Sequence, residues 1–191
     1  IKSKYGNLMI HPNLITKEKL TPIYDIILLT CKSYDLTQVI NDLAKIKNNG
    51  LIIPFLNGKT HLEKLDKYFN KKNVYGGVAY ISSNLDNHGI INHVGQNMKI
   101  AFGSRFEKNS NLIKDFYNRC KKTKFHSALS NDINQEIWEK WIFIATVAGV
   151  TTLFKTSLDK INISKEGQKF ILNLFHECIE ISKLNGFKIR D

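Results

Sequence analysis

A lysine at the start of an apolar helical pattern is the first residue in this sequence that could do chemistry. Lys140 precedes fourteen residues, Trp141 to Phe154, that include no charged side chain. An ammonium against an apolar wall either snorkels to the surface or is desolvated, and desolvation makes it a better proton donor near neutral pH. The spacing alone leaves both interpretations open. At helical spacing Lys140 shares a face with Phe143, Ile144, Val147 and Thr151.

Three other polar side chains follow predicted strands: Lys32, Asn57 and Ser83. Lys32 is either an ordinary loop lysine or a cation that faces a cofactor phosphate or a substrate carboxylate. Asn57 precedes Gly58, so this pair is either a simple turn or a carboxamide that hydrogen-bonds a ligand. Because ligands of α/β sheets bind beyond the carboxyl ends of the strands, we expect all three side chains near a ligand crevice.

The usual nucleotide and metal motifs do not occur in the sequence. There is no G-x-G-x-x-G, no P-loop, no H-E-x-x-H and no C-x-x-C. The histidines have no partners at catalytic spacing, and no metal site is predicted. Cys31, Cys120 and Cys178 are odd in number and far apart, which favours reduced thiols and a cytoplasmic protein over a disulfide framework.

The net charge of +11 is compatible with nucleic acid, a membrane surface or an anionic ligand as partner. The lysines are spread through the whole chain, however, and we expect no dedicated nucleic-acid surface. Fourteen uncharged residues are too few to span a bilayer, so no membrane segment is predicted. The sequence opens on Ile1 rather than Met, and we expect it to be part of a longer polypeptide.

The elements that must position these residues begin with an alternation of strands and helices. Tyr24–Cys31 is a continuous apolar run, which is typical of a strand buried on both faces of a parallel sheet. This alternation predicts an α/β unit with right-handed crossovers. The elements that follow are a helix over Leu36–Ile46 that stops at Asn48-Asn49-Gly50, a strand over Leu51–Leu56, a helix through Leu62, Leu65 and Phe69, and a strand over Val74–Ser82.

The second half of the chain changes from mixed to purely helical patterns. Gly89–Gly95 and Met98–Gly103 are predicted to be two short antiparallel strands joined by a turn at Gln96-Asn97. We expect only helices from Asn131 onward, which places a domain boundary near Ser130. The remaining predicted elements are a helix over Asn109–Cys120, a strand over Lys124–His126, the helix that carries Lys140, and a helix over Ser164–Asn185.

Five segments, in this order and at these intervals, resemble the 2-dehydropantoate 2-reductase (ketopantoate reductase) family, and the resemblance extends over almost the whole chain. The segments are Asp25-Ile-Ile-Leu-Leu-Thr-Cys-Lys32-Ser, Asn57-Gly58, Gly76-Gly77-Val78, Gly89-Ile-Ile-Asn-His93-Val-Gly95 and Ile137-Trp-Glu-Lys140.

This resemblance implies an incomplete Rossmann-like NADP-binding domain over residues 1–130. It also implies the beginning of an all-α domain, for substrate binding and dimerisation, over residues 131–191. The implied reaction is NADPH-dependent reduction of a 2-oxo acid, namely ketopantoate to pantoate in pantothenate biosynthesis. Lys140 would donate the proton and bind substrate, Asn57 would contact nicotinamide or substrate, and Lys32 and Ser83 would lie near the cofactor. A homodimer is implied as well.

The chain departs from the family pattern in three respects. The family's last helices, which supply further polar substrate-binding residues and a catalytic-site glutamate, would follow Asp191. The family's opening strand and glycine-rich phosphate turn would precede Ile1, so no phosphate site is assigned. The family usually carries Asn at the positions of Ile144 and Ala148, and this loss leaves open, as an alternative to ketopantoate, a less polar 2-oxo acid as substrate. A different class of function also stays open, namely an anion-binding module that keeps the fold without catalysis.

Overall fold

The computed structural model describes residues 1–46 and 50–190. Asn48 and Asn49, the predicted stop of the first helix, lie outside the described residues. Contacts divide the chain into two units. The first contains Ile1–Leu56 and His61–Ile133, and the second contains Asn57–Thr60 and the residues from Asn134 onward.

The first unit has the predicted alternation of strands and helices. In chain order its elements are β1 (Ile26–Leu29), α1 (Leu36–Ile46), β2 (Leu51–Pro54), α2 (Thr60–Tyr68), β3 (Gly76–Leu85), β4 (Ile91–Gly103), α3 (Asn111–Cys120) and β5 (His126–Leu129). β1 and β2 pair in parallel, and the N–H of Tyr75 donates to the carbonyl of Ile52 at 2.9 Å just before β3 begins. In the second sheet, β4 is antiparallel to β3 and parallel to β5. The mixed α/β class is therefore confirmed.

The prediction that β1 is buried on both faces is wrong. Leu29 is buried, but Leu28, its neighbour, is 46% exposed. Successive residues of a strand point to opposite faces, so the face that carries Leu28 is left open in this chain. The continuous apolar run therefore predicted the strand correctly but predicted the burial of its second face incorrectly.

The two predicted short strands around Gln96-Asn97 are one continuous strand, β4, and the predicted turn between them is wrong. The register with β3 shifts between the pairs Ile81–Met98 and Ser82–Val94. Residues 95–97 are therefore an insertion in the ladder, a β-bulge, and Gly95 has a positive φ of 87° there. A bulge and a turn both interrupt an apolar pattern with glycine and polar residues, so the pattern could not separate them.

The hairpin turn lies instead between β3 and β4, and the carboxylate of Asp86 organises it. Its Oδ1 accepts hydrogen bonds from the N–H groups of His88 and Ile90, both at 2.9 Å. Gly89 has a φ of 74°, which a glycine adopts without strain. β3 consequently runs to Leu85, beyond its predicted end at Ser82.

The core of the first unit forms where β2, β3, β4 and α3 pack together. Gly77 allows this approach, because a Cβ at that position would lie 2.7 Å from the carbonyl oxygen of Pro54. The Ser110 hydroxyl accepts a hydrogen bond from the N–H of Ile113 and caps α3. The buried residues of this cluster are Leu51, Ile53, Tyr75, Phe102, Ile113 and Cys120.

Within the described residues, the regular elements of the second unit are helices, and the unit also includes the Asn57–Thr60 turn, whose last residue begins α2. Its helices are α4 (Ile133–Phe154), α5 (Leu158–Ile161) and α6 (Lys165–Leu184). Ser164 caps the start of α6. As predicted, Asn185 ends the helix before Gly186, whose φ is 85°. Within the described residues, α4 is long and apolar enough by length and composition to cross a membrane. The core helix of a soluble protein has the same length and composition.

Candidate active site

Lys140 lies in the second turn of α4, inside the unit rather than on its surface. The residue is 7% exposed, and burial lowers the pKa of its ammonium. Desolvation disfavours the charged form of a lysine, which makes it a stronger acid than a lysine in water. The structure therefore supports the desolvated interpretation of Lys140 over the snorkelling one.

The face of α4 beyond Lys140 is apolar and partly open. Ile144 is half-buried and Ala148 is exposed, as is Phe143 at 54%. Further along, the Thr151 hydroxyl donates to the carbonyl of Val147 at 2.7 Å, so that it is satisfied within its own helix. A ligand beside Lys140 would therefore meet hydrocarbon on this face of the helix.

The carboxylate next to Lys140 in the chain is committed to other partners. The Arg190 guanidinium donates to both oxygens of Glu139, from Nε at 2.7 Å and from Nη2 at 2.6 Å, and Gln135 adds a bond at 2.9 Å. These bonds, that from Arg190 above all, lower the pKa of Glu139 to about 2. Glu139 is thus ionised at neutral pH and joins the C-terminal segment to α4, which makes it a structural group rather than a second acid.

Asn57 belongs to the same unit as Lys140, although it follows a strand of the first unit. Its side chain is exposed and makes no hydrogen bond within the described part of the chain. Gly58 has a φ of 83°, as in a turn, while the Asn57 carboxamide stays available to a ligand. Lys59 then places its Nζ 4.0 Å from the ring centroid of Trp138 on α4. The turn thus brings a free carboxamide into the unit that holds the buried lysine.

Lys32 lies in the first unit, in the turn between β1 and α1. The N–H of Asp35 donates to its carbonyl at 3.0 Å, and its side chain is exposed. Leu29 and Pro54 are paired at the ends of β1 and β2, and Lys32 and Asn57 each follow those ends by three positions. Both residues therefore come after the carboxyl ends of parallel strands, as the sequence predicts.

The predicted position of Ser83 at the end of a strand is wrong. Ser83 lies inside β3, paired with His93 of β4, and its side chain is exposed. The hairpin extends β3 past the point where a parallel sheet would end, so the argument from strand ends does not apply to this serine. Its role at the cofactor stays a prediction.

The first unit contains a buried polar cluster that the sequence did not predict. His61 on α2 is 4% exposed, and burial, with a smaller contribution from the charge of Arg105, lowers its pKa to about 4. Arg105 forms a bidentate ion pair with Asp66 and donates from Nε to the carbonyl of Val74 at 2.8 Å. The helical spacing of His61 and Leu65 was the available signal, because it places the imidazole on the apolar face.

The side chains present fit part of a nicotinamide cofactor. Nicotinamide carries a carboxamide that a free amide such as Asn57 can hydrogen-bond, and a cation such as Lys32 suits a phosphate group. Lys32 makes no ion pair within the described residues. Taken singly, the Asn57 carboxamide thus suits a nicotinamide and the Lys32 ammonium suits a phosphate.

Comparisons with known families match nearly the whole chain. Residues 1–106 match the model described as ketopantoate reductase PanE/ApbA, and residues 132–191 match that of the ketopantoate reductase PanE/ApbA C terminal. The uncharacterised oxidoreductase YkpB of Bacillus subtilis (strain 168) is 34% identical over 187 residues, which are 97% of this chain and 61% of YkpB. A 2-dehydropantoate 2-reductase of Lactococcus lactis subsp. lactis (strain IL1403) is 21% identical, over 86% of this chain and 53% of that protein. The chain therefore spans less than two thirds of the length of these relatives.

Solved structures show the same fold at lower sequence identity. The 2-dehydropantoate 2-reductase of Porphyromonas gingivalis W83 superposes with a TM-score of 0.79 and 24% identity, over 92% of this chain and 60% of that one. D-mandelate dehydrogenase in complex with NADH and anilino(oxo)acetate gives a TM-score of 0.80 and 16% identity, over 92% and 57%.

Proposed function

Because this chain belongs to the ketopantoate reductase PanE/ApbA family, we propose that the protein containing it is an NADPH-dependent 2-oxo acid reductase. The first candidate reaction is reduction of 2-dehydropantoate to pantoate in pantothenate biosynthesis. The observation that carries the proposal is the burial of Lys140 at the entrance to an uncharged stretch of α4. A buried lysine with a lowered pKa is suited to give up a proton in a reductive step.

Lys140 acts on the carbonyl oxygen of the substrate. Its ammonium donates a hydrogen bond to that oxygen and stabilises the negative charge that develops there as the keto carbon is reduced. The proton then passes from Nζ to the oxygen, which leaves a hydroxy acid and a neutral lysine that solvent reprotonates. The low pKa of Lys140 lowers the cost of this transfer.

The cofactor would supply the hydride, and this chain supplies part of its binding site. Asn57 would orient the nicotinamide ring or the substrate, and Lys32 would pair with a cofactor phosphate. Ser83 would lie near the cofactor from within β3 rather than from a strand end. D-mandelate dehydrogenase, which shares the fold, binds NADH, so both nicotinamide cofactors belong in the assay. Preference for NADPH over NADH is the expected result.

A less polar 2-oxo acid is the second candidate substrate. Ile144 and Ala148 offer no hydrogen bond on the helix face beyond Lys140, and Phe143 there is also exposed. A site without these polar partners discriminates poorly in favour of a hydroxylated substrate. D-mandelate dehydrogenase was solved with anilino(oxo)acetate, an aromatic ligand, and this supports an aromatic 2-oxo acid as the alternative.

The test uses the full-length protein, NADPH or NADH, and a panel containing ketopantoate, a branched aliphatic 2-oxo acid and benzoylformate. Lys140→Ala should lower kcat by roughly 10²–10⁴-fold, the usual contribution of a general acid, while circular dichroism shows an unchanged fold. Lys169→Ala, which removes an exposed lysine of α6, is the matched control and should leave kcat unchanged. Normal turnover by Lys140→Ala would remove Lys140 from the mechanism.

The pH dependence of the same reaction gives a second readout. We expect kcat/KM to fall as pH rises through the pKa of Lys140, because the deprotonated amine cannot donate. This fall should begin below the pH range in which a solvated lysine titrates, since burial lowers the pKa of Lys140. A rate that is flat up to the range of ordinary lysines would contradict the proton-donor role.

We further propose a cytoplasmic homodimer. Unpaired Cys31, Cys120 and Cys178 suit a reducing compartment, and exposed apolar side chains of the second unit, Leu153 and Phe170 among them, suit a subunit interface. Analytical ultracentrifugation and cell fractionation test these two points. The rival function, an anion-binding module without catalysis, predicts no turnover together with nucleic-acid binding that weakens steeply as salt rises.

A further inference from the structure

Lys59 connects the Asn57–Thr60 turn to the helix that carries Lys140. Its Nζ lies 4.0 Å from the ring centroid of Trp138, well inside the range of a cation–π interaction. Trp138 is 5% exposed, and its ring contacts those of Trp141 and Phe187 at centroid distances of 5.3 and 5.6 Å. The ammonium therefore rests on an indole whose position is fixed by packing.

The contact between Lys59 and Trp138 restrains a turn that is not otherwise held by packing at its glycine. Gly58 has a φ of 83°, and no atom lies within 4 Å of where its Cβ would be, so packing at Gly58 does not restrain the turn. Lys59 itself is half-buried and forms no ion pair within the described residues. The indole is thus the partner that holds the lysine against α4 rather than in solvent.

The contact lies two residues from each member of the candidate site. Lys59 follows Asn57 by two positions, and Trp138 precedes Lys140 by two positions on α4. The cation–π contact between Lys59 and Trp138 therefore restrains the distance between the backbone at Asn57 and the backbone at Lys140.

We propose that Lys59 is a positioning residue, whose contact with Trp138 holds Asn57 in register with Lys140 so that both reach one bound 2-oxo acid. The inference rests on the proposed function, since it assigns Asn57 and Lys140 to a common substrate. Small misplacements of such groups reduce the rate strongly, because the reaction needs near-attack geometry. Lys59 itself touches neither substrate nor cofactor in this assignment.

The test compares full-length wild type with Lys59→Met, Lys59→Arg and Lys64→Met. Methionine keeps the length and apolar stem of lysine but loses the charge, and arginine keeps a cation that stacks on indole. Lys64 is an exposed lysine of α2 and serves as the matched control. Two quantities are measured: amide hydrogen exchange of residues 56–62 without ligands, and kcat and KM for the 2-oxo acid that wild type reduces best.

Lys59→Met should exchange faster over residues 56–62 and lose about tenfold in kcat, which corresponds to about 1.4 kcal/mol. Its KM for the 2-oxo acid should stay within about twofold and its pH profile should keep the wild-type shape, because the proton donor is unchanged. Lys59→Arg should restore both quantities, and Lys64→Met should match wild type.

Two results would overturn the inference. Wild-type exchange and wild-type kcat in Lys59→Met would show that the contact positions nothing. A large rise in KM for the 2-oxo acid with unchanged exchange would instead make Lys59 a direct anion-binding group. A wild type that reduces no 2-oxo acid would refute the proposed function, and the exchange comparison would then still decide whether Lys59 anchors the turn.

Discussion

We expect acidification from pH 7 to pH 5 to destabilise the first unit through His61. This imidazole is 4% exposed, and burial, together with the charge of Arg105, lowers its pKa from 6.5 to about 4. In the unfolded chain the ring is solvated and takes up a proton near its ordinary pKa. The unfolded state therefore binds more protons than the folded state below pH 6.5, so stability is retained above that pH and lost as pH falls toward 4.

The size of this loss follows from the two pKa values of His61, 6.5 unfolded and about 4 folded. Between pH 7 and pH 5, proton linkage gives a loss of about 2 kcal/mol in the free energy of unfolding. Glu139 has a pKa lowered from 4.5 to about 2, but it contributes only about 0.2 kcal/mol over the same interval because both of its values lie below pH 5. His61 therefore dominates Glu139 in this pH window.

Equilibrium urea unfolding at pH 7, 6 and 5, followed by far-ultraviolet circular dichroism, measures the effect. The variant His61→Leu fills similar space without a titrating ring, and it should lose about 2 kcal/mol less than wild type between pH 7 and pH 5. His126→Gln removes an exposed imidazole of β5 and should keep the wild-type slope. Equal pH slopes in wild type and His61→Leu would refute the reasoning, whatever the stability of the variant at pH 7.

Two further substitutions each test one contact, the first in the first unit and the second in the second unit. Gly77→Ala should destabilise the protein by about 1–3 kcal/mol in urea unfolding, because the new Cβ would lie 2.7 Å from the carbonyl oxygen of Pro54, a backbone atom that cannot rotate away; a loss below about 0.5 kcal/mol would contradict this clash. Arg190→Gln should cost about 1 kcal/mol at pH 7, since the ion pair with Glu139 is partly exposed. That cost should shrink as pH falls from 4.5 toward 2, because the unfolded state and then the folded state protonate Glu139 over this interval. Lys183→Gln, which breaks a more exposed pair with Glu180, should have almost no effect at either pH.

The sequence predicted the helices better than the strands. α1 has the predicted bounds, and α6 ends at Asn185 as predicted, although Ser164 is its N-cap rather than its first helical residue. Helix patterns are local, because hydrogen bonds and caps connect residues within a few positions. The bulge at residues 95–97 depends on the partner strand β3, and the pattern of β4 alone holds no information about that partner.

The sequence named the candidate residues of the site, but it did not predict the contacts that surround them. The position of Lys140 before an apolar run left two interpretations open, a lysine on the surface or a buried one. Its exposed fraction of 7% shows that it is buried. The argument from strand ends held for Lys32 and Asn57 and failed for Ser83, because β3 continues into a hairpin. The contact of Lys59 with Trp138 joins residues far apart in the chain, which no local spacing could predict.

The Asn57–Thr60 turn has a consequence for recombination between relatives. These four residues group with the helices that begin more than seventy positions later, not with the strand that precedes them. A chimaera with a single crossover near residue 133 would take residue 59 from one parent and residue 138 from the other, and would separate Lys59 from the indole that it contacts here. To exchange the second unit intact, a chimaera therefore needs two additional crossovers, one on each side of Asn57–Thr60, so that the turn and the helices come from the same parent.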